Sequence, residues 1–64
     1  MTTMKFEGWP HELAEAEAWC RTSVAQGYWK EMVANGDYRF HFICPFEAQR
    51  FLDRFCHTAW QLYD

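Results

Sequence analysis

His41 with Cys44, and Cys56 with His57, are the side chains in this sequence with the chemistry of metal ligands. Zinc takes such thiolates and imidazoles in tetrahedral sets, but these spacings do not converge. On a strand His41 and Cys44 have opposite parity, and on a helix Cys56 and His57 diverge by about 100°. The third cysteine, Cys20, leaves an odd number without a C-x-x-C pair, which reads as reduced, largely buried thiols packed as small hydrophobes. Asp53 and His57 lie one helical turn apart and can pair on a helix surface. Catalysis also needs a nucleophile within reach of its base, and the cysteines are assigned to the core. The expectation is a chain with no metal, no cofactor and no catalytic site, hence not an enzyme.

Two sets of residues have the chemistry of binding instead. Glu12, Glu15 and Trp19 fall within about 60° of one another on a helix, and an exposed Trp rimmed by carboxylates is a protein-binding hot spot in composition. A second reading of Trp19 stands beside this one, in which the ring flanks the core while the two acids face water. Tyr28, Lys30, Arg39 and His41 mix aromatic and basic groups as an RNA-recognition sheet does. A nucleic-acid ligand there is opposed by the negative charge and by the missing basic stripe. A subunit partner covering the same sheet face is the alternative occupant.

The elements that must position these groups follow from periodicity. In "MKFEGW" Met4 and Phe6 alternate with Lys5 and Glu7, the pattern of a strand with one buried face. Gly8 and Pro10 end it, and Pro10 suits a first helical turn. Leu13, Ala16, Cys20 and Val24 then form the apolar stripe of a helix, closing near Gly27. Gly36 can cap a helix over Tyr28 to Val33, but Asn35-Gly36 between two β-rich runs is the stronger hairpin signal. A two-residue type I′ turn there pairs Val33 with Tyr38 and Trp29 with Phe42. That register places Trp29, Val33, Tyr38, Phe40 and Phe42 on one face, and Tyr28, Lys30, Met32, Arg39, His41 and Ile43 on the other. Glu31 is left pointing inward, which an edge strand tolerates. Pro45 starts a second helix with an apolar face of Ala48, Phe51, Leu52, Phe55, Ala59 and Leu62.

The predicted order is β-α-β-β-α: one α+β domain over residues 1–64, a three-stranded, antiparallel-containing sheet with two helices on one face. It resembles a ferredoxin-like fold truncated before its last strand. At 64 residues, half of them apolar and 20% aromatic, such a chain buries roughly 60% of its unfolded surface and has no room for a deep catalytic cavity. Nine acids against six bases give a formal charge of −3, with Glu7, Glu12, Glu15 and Glu17 in a run that meets no base before Arg21. The sequence lacks an apolar run near the ~20 residues that span a bilayer, and "MTTMKFEGW" lacks a signal-peptide core. A cytoplasmic protein is expected.

The short length, the acidic stretch from Glu7 to Glu17, the reduced cysteines and the aromatic α+β core together resemble the small phage-encoded inhibitors, among them the anti-CRISPR proteins of type I systems such as type I-C. The resemblance implies a stoichiometric inhibitor in the cytoplasm of a bacterial host. It would occupy a basic nucleic-acid-binding surface of a surveillance complex, with carboxylates standing in for DNA phosphates. The nucleic-acid module and the assembly subunit, both using the sheet, are the alternatives.

Overall fold

A computed structural model of the chain describes residues 1–33 and 37–62. The elements run β1 (Thr2–Phe6), α1 (Pro10–Ser23), β2 (Tyr28–Met32), β3 (Tyr38–Phe42), α2 (Pro45–Arg54) and β4 (Ala59–Leu62). They form an α+β domain with a four-stranded sheet in the order β2-β3-β1-β4, every neighbouring pair antiparallel. Both helices cover one face of it. Met4, Phe6, Phe40 and Phe42 from the sheet meet Ala16 and Cys20 of α1 and Ala48 and Phe51 of α2 in a single core, closed by Phe55 and Ala59.

The expected three-stranded sheet is therefore corrected to four. The second helix ends at Arg54 rather than continuing through Leu62. Phe55, its C-cap, leaves helical geometry at φ −119° and ψ 41°, and Thr58, Ala59, Trp60 and Leu62 pair along β1 instead. Phe55, Ala59 and Leu62 satisfy a helical spacing by coincidence, because Ala59 also fits the inward position of a strand. The edge of β1 makes the difference: a strand there satisfies backbone groups that would otherwise lie open beside the core.

The register of the hairpin is also shifted by one. Tyr28 lies opposite Phe42, Lys30 opposite Phe40 and Met32 opposite Tyr38, and the Val33 N–H donates to the Asp37 carbonyl at 2.9 Å. Three residues separate that last pair rather than two. The type I′ turn expected at Asn35-Gly36 lies outside the described residues. A one-residue slip moves every side chain of a strand to the other face, so Tyr28, Lys30 and Met32 join Phe40 and Phe42 on the helix side. Trp29 and Glu31 turn to the open side. Glu31, a misfit in the expected register, now faces solvent.

Polar contacts fix the helices at their ends. Glu12 reaches back from the first turn of α1 to accept the Trp9 N–H at 2.8 Å, satisfying a donor that the helix leaves free. Glu47 on α2 is buried, and its carboxylate accepts the N–H groups of Ala25 at 2.6 Å and Gln26 at 3.1 Å. It thereby ties the α1–β2 connection to α2. Gly27 follows with φ +111°, a left-handed conformation that glycine adopts without strain. Among the described residues no helix is long and apolar enough to cross a membrane.

Candidate functional site

The sheet face away from the helices is built from residues that alternate with the core. Cross-strand partners share a face, so the pairings set two rows across the sheet. One runs Trp29, His41, Thr3, Leu62; the next runs Glu31, Arg39, Lys5, Trp60. Trp29 and Trp60 stand on the two edge strands and remain 45% and 41% exposed. The two cations occupy the central strands between them.

Trp29 stacks on His41 with ring centroids 4.9 Å apart and planes inclined by 17°. The imidazole is held from both sides. Its Nε2 lies 3.2 Å from Glu31 Oε1 and its Nδ1 lies 3.0 Å from Thr3 Oγ1. A carboxylate only accepts, so Nε2 carries the proton, and in the neutral ring Nδ1 accepts from the Thr3 hydroxyl. The indole thus rests on a base that cannot rotate freely. At the far edge Lys5 Nζ lies 5.5 Å from the centre of the Trp60 ring and 3.0 Å from Glu7 Oε1. Arg39 is exposed and has no hydrogen-bond or ion-pair partner among the described residues.

The sheet set expected from sequence is split by the register. Arg39 and His41 are on the open face, whereas Tyr28 and Lys30 lie on the helix side. Tyr28 stacks with Phe40 and Phe42, and burial raises its phenol pKa. Lys30 pairs with Glu17 of α1 and lies over the Tyr38 ring. Trp29, Lys5, Thr3 and Trp60 take their place. The alternation of Lys5 with Met4 and Phe6 carried the signal for Lys5; Trp60 was hidden by the helical reading of its segment.

The helix set is distributed differently from its expectation. Trp19 is half-buried, its ring edge-on to Phe51 at 5.8 Å and to Phe55 at 6.1 Å, so the core-flanking reading describes it. Glu12 is engaged with the Trp9 backbone, and Glu15 receives a hydrogen bond from Arg54 Nη2 at 3.0 Å. With Glu17 on Lys30 and Glu7 on Lys5, the acidic run is matched by partners within the chain. The exposed indole of this region is Trp9. A groove beside it is lined by Glu12, Glu15, Arg54, Phe55, His57 and Thr58.

The remaining chemistry-bearing side chains stay apart. His57 follows α2 rather than lying on it, and Asp53 accepts from Gln49 Nε2 at 3.1 Å instead of pairing with His57. Only Cys20 of the three thiols is buried; Cys44, at the N-cap of α2, is partly exposed, and Cys56, in the turn that follows α2, is exposed. Burial, with Glu17 adding to it, pushes the Cys20 thiol up to about 12. Among the described residues no three His, Cys, Asp or Glu side chains gather as a metal site would require.

No protein-family model matches the chain, and neither the curated proteins nor the solved structures yield a significant match.

Proposed function

We propose that the chain is a non-catalytic binding module that works by stoichiometric occupation of a partner, and that its working surface is the open face of the sheet. One observation carries this reading: two half-exposed indoles on the sheet flank an exposed guanidinium that has no partner among the described residues. Trp and Arg are the residue types that dominate binding energy at interface centres, and sheet-borne side chains are placed more precisely than those on loops. In finer terms the fold is a complete ferredoxin-like arrangement, the β-α-β-β-α-β order supporting that description. Fold alone assigns no ligand.

Inhibition of a nucleic-acid-handling assembly, such as a type I CRISPR surveillance complex, is the form that the sequence resemblance gives this proposal. The geometry favours the sheet over the acidic helix as the contact, since Glu12, Glu15 and Glu17 already have partners and Trp19 belongs to the core. The test is binding of the purified protein to a type I surveillance complex, comparing Trp29→Ala/Trp60→Ala with Glu12→Lys/Glu15→Lys. Loss of about 2 kcal/mol or more in the first double variant, with a small change in the second, supports the sheet. The reverse pattern supports the helix face and refutes this proposal.

A further inference from the structure

We infer that the open sheet face is a stacking platform for a single-stranded nucleic acid; the inference rests on the reading of that face as the working surface and names its ligand. The face carries two half-exposed indoles. Each has one side supported from within the protein, Trp29 by the imidazole of His41 and Trp60 by the ammonium of Lys5. Each therefore presents a planar surface that needs little further ordering on binding. Three inter-strand spacings and two residues along the strand put them about 16 Å apart. That exceeds the ~3.4 Å between stacked neighbours in a helical strand, so a strand that uses both must cross the sheet extended, with its bases splayed. A duplex keeps its bases in the stack and cannot do so.

The charges lie where the backbone of such a strand would pass. Arg39 and Lys5 are cross-strand neighbours on β3 and β1, between the two indoles. Glu31 is engaged by His41 and Glu7 by Lys5, which leaves Arg39 as the cation of this face without a partner among the described residues. The overall negative charge opposes long-range attraction, but Glu12, Glu15 and Glu17 lie on α1, on the far side of the sheet, where Arg54 pairs with Glu15 and Lys30 with Glu17. A second copy of the chain fits the face less well. In a face-to-face pair about an axis along the strands, the central position sets Arg39 of one copy against Lys5 of the other, and like charges are destabilising there.

One unengaged cation and two rings define a ligand held mainly by stacking. With one phosphate contact, at Arg39, on a single strand, the slope of log K against log salt is roughly −0.7, so raising salt from 50 to 200 mM weakens binding about 2.6-fold. Each indole contributes roughly 5- to 150-fold per stacked base. The experiment is fluorescence-anisotropy titration of labelled eight-nucleotide single-stranded DNA and RNA, and of a duplex of the same length, with thermal melts of every variant. The expected result is binding of a single strand in preference to the duplex, weakening in Trp29→Ala and in Trp60→Ala, and a salt slope reduced by about 0.7 in Arg39→Ala. Equal binding of duplex, single-strand binding indifferent to both Trp substitutions, or no binding of any oligonucleotide overturns the inference. If no oligonucleotide binds while Trp29→Ala/Trp60→Ala abolishes association with the surveillance complex, the face stands as a protein-binding surface and only its nucleic-acid ligand is refuted. If neither oligonucleotide nor complex responds to those substitutions, both readings fail.

Discussion

Trp19→Ala separates a structural ring from a binding ring. The indole of Trp19 meets Phe51 and Phe55 edge-on, a geometry worth about 0.5–1.5 kcal/mol per aromatic pair beyond area burial. Full truncation of a buried Trp or Phe costs about 3–5 kcal/mol; a half-buried ring with two such contacts should lose about 2–4 kcal/mol. A domain of this size has on the order of 5 kcal/mol to lose, and each kcal/mol shifts the melting temperature by roughly 4–8 °C. The variant should therefore melt about 8–32 °C lower, or unfold at ambient temperature. The assay is thermal and urea unfolding followed by circular dichroism, with Trp29→Ala as the paired control. Trp29 stacks on His41 of the open face and has no ring contact with the core among the described residues, and its loss should cost about 1 kcal/mol or less. A Trp19→Ala protein that melts within a few degrees of the parent would refute the placement of this ring in the core and would restore it as a surface anchor.

Other outcomes follow from the same contacts. Glu47→Ala leaves the Ala25 and Gln26 N–H groups without their acceptor and should destabilise by about 1–3 kcal/mol in urea unfolding, with Glu47→Gln recovering part of the loss through its remaining carbonyl oxygen. Gly27→Ala forces a side chain into φ +111° and within 3.1 Å of Ile43 Cδ1, and should cost about 1 kcal/mol or more in the same assay. Thiol labelling at pH 8 should modify Cys56 rapidly in the native protein and Cys20 only after denaturant is added. The raised Cys20 thiol has a sign that can be checked: the unfolded chain releases this proton near pH 9 and the folded chain near 12. The contribution to stability is thus complete below pH 9 and declines above it by up to about 1.4 kcal/mol per pH unit, and Cys20→Ala should flatten that decline after other titrations common to both proteins are subtracted.

The first strand, the first helix and the start of the second were legible because each carries an uninterrupted period and a Pro at its boundary. Met4 and Phe6, then Leu13, Ala16, Cys20 and Val24, occupy the inward positions that their spacing requires. The hairpin was legible as an element but not in its register, since Asn-Gly signals a turn without stating how many residues the last backbone pair encloses. That single residue decided whether Trp29 or Tyr28 faces solvent, so the binding face could not be composed correctly from the strand sequences alone. The last strand was obscured for a different reason. Four residues between Ala59 and Leu62 are too few to show a period of two against a helical period inherited from α2, and their pairing depends on β1, more than fifty residues away in sequence. Trp19 and Trp29 illustrate the consequence: each admits an exposed or a buried reading, and only the packing of α1 against α2, and the register of β2, distinguish them.

The central claim, that the open sheet face is the working surface, is tested most directly by observing the indole N–H resonances of Trp9, Trp19, Trp29 and Trp60 during titration of the isotopically labelled protein with the eight-nucleotide single strand and, separately, with the surveillance complex. The Trp29 and Trp60 signals should shift or broaden together with the backbone amides of Lys5, Arg39 and His41, while Trp19 and the amides of Glu12 and Glu15 stay in place. Perturbations confined to α1 and Trp9, or the absence of any change at Trp29 and Trp60 with both titrants, would contradict it.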